Sequence, residues 1–145
     1  MGHQPTPAVL VVEADVDERD RLGDILTRHG FDVLACPGPT APDYTCVGER
    51  DGRCPIVDAV RAVVLDLRLS GDDMMLGTSA CELVRLYVTA GRPVVALGSA
   101  GHLERDLLME GVVRLPRQPD EPSTVATVRA MIRSTRGGID DVGSV

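Results

Sequence analysis

"AVVLDL", residues 62–67, is a short apolar run that ends on an acid, Asp66. The run is too brief for a helix and rich in valine, so it predicts a β-strand buried on both faces. "AVLVVE", residues 8–13, has the same form and ends on Glu13. Similar apolar runs predict three more strands, at 31–35, 92–98 and 112–116.

Helical segments separate most of these strands. Residues 17–30 carry Leu22, Ile25 and Leu26 at helical spacing and close with Gly30, which favours an amphipathic helix. The segment 79–91 opens with a capping box, Ser79 and Glu82. Two more helices are predicted at 102–111 and 122–137, the last one stopped by Gly137 and Gly138, with a disordered tail at 139–145.

Five apolar strands that alternate with helices imply parallel pairing with right-handed crossovers. We therefore expect one domain over residues 1–145, with its core at 8–136. Its fold class is α/β: a doubly wound, five-stranded parallel sheet in a flavodoxin-like three-layer sandwich. The second crossover is the exception, because the insert at 37–55 is rich in Pro, Gly and Cys and replaces most of its helix. Only "PIVDAV", residues 55–60, has room for a turn or two.

Composition excludes several functions. The net charge is −7 and no basic cluster is present, which argues against a nucleic-acid partner. All 15 basic residues are Arg, so chemistry that needs a lysine is excluded. No window approaches the roughly 20 apolar residues that span a bilayer, so we expect a cytoplasmic protein without a membrane partner.

Acidic residues follow two of the predicted strands. Glu13 and Asp66 end the first and third strands, which are neighbours in a flavodoxin-like strand order, and Asp15 lies close behind. In an open parallel sheet, ligands bind at the carboxyl ends of the strands. Converging carboxylates make an oxygen site of the kind that suits Mg²⁺, so the sequence predicts an acidic pocket there.

Four segments resemble the receiver domain of bacterial two-component response regulators. They are "VLVVE", "VVLDLRLSGDD", "PVVALGSAG" and "VVRLPRQPDEP", in the family's order and nearly its spacing. The resemblance covers roughly residues 8–136 without the insert. It implies a five-stranded parallel sheet between helices, a histidine kinase or a regulatory target as partner protein, and phosphoryl transfer onto the aspartate matched by Asp66.

The sequence departs from the family's pattern at most other active-site positions. The usual acid pair is Glu13 and Ala14, and the hydroxyl residue falls on Gly98, with Ser99 one position late. The lysine falls on Arg117, and the proline after it is Gln118. With one carboxylate fewer, Mg²⁺ binding and transition-state stabilisation should weaken. The resemblance therefore implies an atypical receiver, either poorly phosphorylated at Asp66 or independent of phosphate.

The four cysteines leave three interpretations open. They lie at Cys36, Cys46, Cys54 and Cys81. Four thiolates gathered near the carboxyl edge of the sheet would bind zinc or an iron–sulfur cluster, although the spacing lacks a C-x-x-C knuckle. Cys46 and Cys54 also suit a reversible disulfide, and Cys81 at a helix N-terminus is the best candidate for a reactive thiol. Alternatively, the cysteines pack as small hydrophobic side chains.

No catalytic motif is present. A cysteine phosphatase loop needs Arg six residues after its Cys, and the residue six after Cys46 is Gly52. No nucleophile elbow and no G-x-G-x-x-G follow a predicted strand. The sequence thus predicts a non-enzymatic, stand-alone, atypical receiver that binds a partner protein. The alternative is a metal- or redox-sensing module on the same scaffold, and the oligomeric state stays open.

Overall fold

The computed structural model describes residues 7–37, 55–67, 81–98 and 110–143. The strands are β1 (Ala8–Val12), β2 (Asp32–Cys36), β3 (Ala62–Asp66), β4 (Val94–Leu97) and β5 (Val112–Leu115). The α-helices are α1 (Val16–Arg28), α2 (Cys81–Thr89) and α3 (Glu121–Gly143), and a 3-10 helix covers Pro55–Ala59. All five predicted strands are present within two residues of their expected bounds.

The strands form one parallel sheet in the order β2-β1-β3-β4-β5. Such an order requires the chain to reverse direction across the sheet between β1 and β3, so a crevice opens at the carboxyl ends of these two strands. The predicted fold class, a doubly wound α/β sandwich with a flavodoxin-like strand order, is confirmed.

Helices cover both faces of the sheet. On one face, Leu10, Val63 and Val94 belong to a hydrophobic cluster with Leu83 and Tyr87 of α2. On the other face, alternate strand residues pack with α1 and α3; this cluster includes Val11, Val64, Val95, Leu22, Leu26, Val125 and Val128. Because β1, β3 and β4 lie between two helical layers, their side chains are apolar on both faces.

The edge strands are more exposed than the central ones. In β2, three of the five residues are exposed, and Leu34 is among them. Leu34 pairs in register with Leu10 of β1, which is fully buried. The predicted burial of β1 on both faces is confirmed, whereas β2 is more exposed because it is an edge strand with a neighbour on one side only.

Helix α3 is longer than the sequence predicts. Its backbone continues through Gly137 and Gly138 to Gly143, so the predicted helix end and a disordered tail beginning at 139 are both wrong. Each glycine costs a helix interior only about 1 kcal/mol, and no proline follows to block the next turn. Within the described part of the chain, no helix is long and apolar enough to cross a membrane.

The crossover between β2 and β3 ends in a single short helix, as the sequence predicts. "PIVDA" forms only the short 3-10 helix, and its Val57 and the following Val60 pack into the first cluster. The remainder of the insert, residues 38–54, lies outside the described residues. So do most of the helix predicted at 102–111 and the N-cap at Ser79.

Candidate functional site

Glu13 and Asp66 meet at the crevice between β1 and β3. Val12 pairs in register with Leu65, so the next residue of each strand, Glu13 and Asp66, lies side by side. Both side chains are buried, with 1% of Glu13 and 2% of Asp66 exposed. The predicted convergence of these two carboxyl groups is therefore present in the structure.

The Glu13 side chain holds a proton at neutral pH. Burial and the neighbouring Asp66 carboxylate raise its pKa from 4.5 to about 8. Its Oε2 accepts a hydrogen bond from the Asp15 backbone N–H at 3.2 Å, and its Oε1 is buried without a donor among the described residues. Two carboxylates cannot donate to each other, so a hydrogen bond between Glu13 and Asp66 requires a proton on one of them.

Asp15 does not reach into the crevice. Its side chain is the N-cap of α1 and accepts hydrogen bonds from the backbone N–H groups of Asp17 and Glu18, at 2.9 and 3.2 Å. Asp15 is exposed. Asp15 thus serves as the N-cap of α1, which agrees with the acidic residues at the start of this helix. It supplies no carboxylate to the pocket.

Arg117 approaches Asp66 from the loop that follows β5. Its Nη2 lies 3.4 Å from Oδ2 of Asp66, and 39% of its side chain is exposed. Glu13, Asp66 and Arg117 together form what we call the acid pocket. Next to Arg117, Gln118 has a φ of 52°, which proline cannot adopt, so this loop path is incompatible with the family's proline at that position.

Gly98 lies directly beside the Arg117 side chain. A Cβ atom at residue 98 would come within 3.1 Å of Cγ of Arg117 and 3.7 Å of its Cδ. Strand β5 holds the Gly98 backbone on both sides: its N–H donates to the Leu115 carbonyl at 2.9 Å, and its carbonyl accepts from the Arg114 guanidinium. By sequence, Gly98 is only the place of a lost hydroxyl. The contact of Arg114 is not among the predictions, although an arginine inside the apolar run "VVRLP" is a visible signal.

The side chains of the acid pocket do not suit Mg²⁺. Mg²⁺ prefers ionised carboxylates with water and phosphate oxygens around it. Here Glu13 holds a proton, Ala14 stands where a second acid would be, and the Arg117 guanidinium lies against Asp66. Among the described residues, no group of three or more His, Cys, Asp or Glu side chains could hold a metal ion.

The structure locates one cysteine side chain. Cys36 ends β2, packs as a thiol in the first hydrophobic cluster, and accepts at its carbonyl a hydrogen bond from the Glu13 N–H. Cys81 begins α2, and its side chain lies outside the described part, as do Cys46, Cys54 and Ser99. A zinc or iron–sulfur site and a disulfide therefore stay predictions from the sequence.

Structural comparison relates the chain to receiver domains. A response regulator receiver protein from Sinorhizobium medicae WSM419 matches with 12% identity and a TM-score of 0.65 over 90% of this chain and 97% of that one. A CheY-like receiver domain protein from Methanospirillum hungatei JF-1 matches with 12% identity and a TM-score of 0.66 over 92% and 99%.

Another solved structure adds to this likeness. The N-terminal domain of an uncharacterized protein from Wolinella succinogenes matches with 18% identity and a TM-score of 0.66, over 92% of this chain and 99% of that one. No family model matches the sequence, and no curated protein sequence matches it. The likeness lies in the fold: this chain has the five-stranded parallel sheet, in the order β2-β1-β3-β4-β5, and the covering helices of response regulator receiver domains.

Proposed function

We propose that this chain is an atypical receiver domain that signals by binding a partner protein in the cytoplasm, with phosphorylation at Asp66 strongly impaired. The observation that carries the proposal is the acid pocket. Asp66, at the position of the family's phosphoacceptor, lies between the protonated Glu13 and the Arg117 guanidinium. Because Arg117 already lies against Asp66, the pocket favours a domain that acts by binding a partner protein over one that accepts a phosphoryl group.

Phosphoryl transfer to Asp66 would require its carboxylate to attack a phosphorus atom while cations neutralise the equatorial oxygens. Asp66 is 2% exposed, and one of its oxygens already lies near Nη2 of Arg117. Arg117 is the cation described at this position, and it is paired with the nucleophile. The reaction therefore lacks an accessible nucleophile, because Asp66 is buried and already lies against the Arg117 guanidinium.

Charge and composition favour a protein partner over nucleic acid. The net charge of −7 opposes association with a phosphate backbone. If phosphate does not switch the domain, Asp66→Asn should bind the same partner with unchanged affinity.

Intact mass spectrometry tests the proposal. The protein is incubated with acetyl phosphate and Mg²⁺, and its mass is recorded beside that of Asp66→Asn treated identically. We expect no stoichiometric gain of one phosphoryl group in the wild-type chain. A gain of one group per chain that Asp66→Asn lacks would show efficient phosphorylation and would overturn the proposal.

A further inference from the structure

The space for Arg117 in the acid pocket depends on the missing side chain at residue 98. The Cγ and Cδ atoms of Arg117 pass 3.1 and 3.7 Å from where a Cβ of residue 98 would stand. Hydrogen bonds to Leu115 and Arg114 of β5 restrain the backbone of Gly98 and oppose its movement away from Arg117. A Cβ at 98 would therefore push the stem of Arg117 away by a few tenths of an ångström.

The charge of the pocket is balanced by this arrangement. The Glu13–Asp66 pair is buried, and the pKa of Glu13, raised to about 8, leaves one negative charge on the pair at neutral pH. The guanidinium 3.4 Å from Oδ2 of Asp66 supplies the compensating positive charge, although 39% of Arg117 is exposed and solvent weakens the attraction. A divalent cation entering here would meet a positive group already in place.

We propose that Arg117 is the resident cation of the acid pocket, admitted by Gly98, and that it excludes divalent metal ions from Asp66. Gly98 is thus a positioning residue for Arg117. This proposal rests on the proposed function, because it names Arg117 as the reason why the pocket does not support phosphoryl transfer to Asp66. It predicts that a divalent cation binds in the pocket once the guanidinium is removed, with release of the proton from Glu13.

Thermal unfolding with and without Mn²⁺ tests the role of Arg117. The variants are wild type, Arg117→Met, which removes the charge but keeps much of the stem, and Arg61→Met as a matched control. Arg61 is exposed and directly precedes β3, at the opposite end of the strand from Asp66. Since a ligand that binds only the folded state raises Tm, we expect Mn²⁺ to raise Tm of Arg117→Met by roughly 3 °C or more. The Tm of wild type and Arg61→Met should not respond.

A second pair of variants tests the role of Gly98. Gly98 has a φ of 103° and Gly91 a φ of 82°, so an alanine is strained at either position. A Cβ at Gly91 meets no described atom within 4 Å, whereas a Cβ at Gly98 meets Arg117. We expect a Mn²⁺-dependent rise in Tm for Gly98→Ala and none for Gly91→Ala. The comparison separates displacement of Arg117 from backbone strain.

The inference is overturned if Mn²⁺ leaves Tm of Arg117→Met unchanged, or raises Tm of the wild type equally. Equal responses of Gly98→Ala and Gly91→Ala would overturn the role of Gly98. These outcomes differ from a failure of the proposed function. That failure would be a gain of one phosphoryl group by the wild-type chain, which intact mass spectrometry detects without any of these variants. Where a variant does not fold, isothermal titration of wild type with Mn²⁺ still decides, since saturable binding that Asp66→Asn abolishes contradicts the inference.

Discussion

Glu13 sits in an environment that opposes its ionisation. Its side chain is buried beside the Asp66 carboxylate, and these two effects raise its pKa from 4.5 to about 8. Between these two pH values the folded chain keeps a proton that the unfolded chain has released. The contribution of Glu13 to the free energy of unfolding therefore falls as the pH rises from about 4.5 to about 8.

We expect Glu13→Gln to remove this slope, because the amide resembles the protonated acid and cannot titrate. At pH 8–9 the free energy of unfolding should exceed that of wild type by on the order of 2 kcal/mol or more. Urea unfolding at several pH values measures it. Glu110→Gln, at an exposed position before β5, is the control and should keep the wild-type slope. An unchanged slope in Glu13→Gln would show that Glu13 is ionised in the folded chain.

At the scale of elements, the start of α1 depends on Asp15. Its carboxylate accepts from two backbone N–H groups that the helix itself cannot satisfy. Asp15→Ala should lower the free energy of unfolding by about 1 kcal/mol, whereas Asp15→Asn keeps the acceptor and should cost much less. Chemical unfolding at pH 7 distinguishes the two variants. Equal losses would mean that the charge, and not the cap, stabilises α1.

An ion pair with Arg28 and a hydrogen bond with His29 connect Glu121, at the start of α3, to the end of α1. Glu121 contacts Nη2 of Arg28 at 3.1 Å and Nε2 of His29 at 2.7 Å. The hydrogen bond with His29, followed by the charge of Arg28, lowers the pKa of Glu121. A lowered carboxyl pKa contributes stability above the ordinary value of 4.5, and this stability is lost as the pH falls through the folded pKa.

A double-mutant cycle of Glu121→Gln and His29→Gln measures this link between helices. At pH 6 the two substitutions should be non-additive, because each removes the same contact. The coupling should be lost in acid, once the pH falls below the lowered pKa of Glu121. Additive effects at pH 6, or a coupling that persists in acid, would contradict the assignment of this pair.

For the whole molecule, stability comes from burial between the two helical layers. Leu10 and Leu34 are register partners on adjacent strands, yet Leu10 is 1% exposed and Leu34 is 40% exposed. We expect Leu10→Ala to lower the free energy of unfolding by about 2–5 kcal/mol and Leu34→Ala by about 1 kcal/mol or less. Urea unfolding compares them directly. Similar losses would mean that the β2 edge is covered as completely as the centre.

The sheet could be predicted from the sequence because each central strand is a short apolar run between polar segments. The positions of Glu13 and Asp66 followed from strand order alone. The end of α3 was missed, since Gly137 and Gly138 weaken a helix without stopping it. The resemblance put Arg117 at an active-site position beside Asp66. Its contact with Gly98 was not predictable, because that contact depends on how far the loop after β5 lies from β4, and no local pattern encodes that distance.

The measurement that tests the account most directly is a ¹⁹F NMR spectrum of the protein with beryllofluoride and Mg²⁺. Beryllofluoride imitates a phosphoryl group on an aspartate, so the spectrum reports whether Asp66 is available as an acceptor. We predict only the resonances of free fluoride species, identical to those of Asp66→Asn. A protein-bound resonance in wild type that Asp66→Asn lacks would show an open, metal-competent pocket and contradict the account.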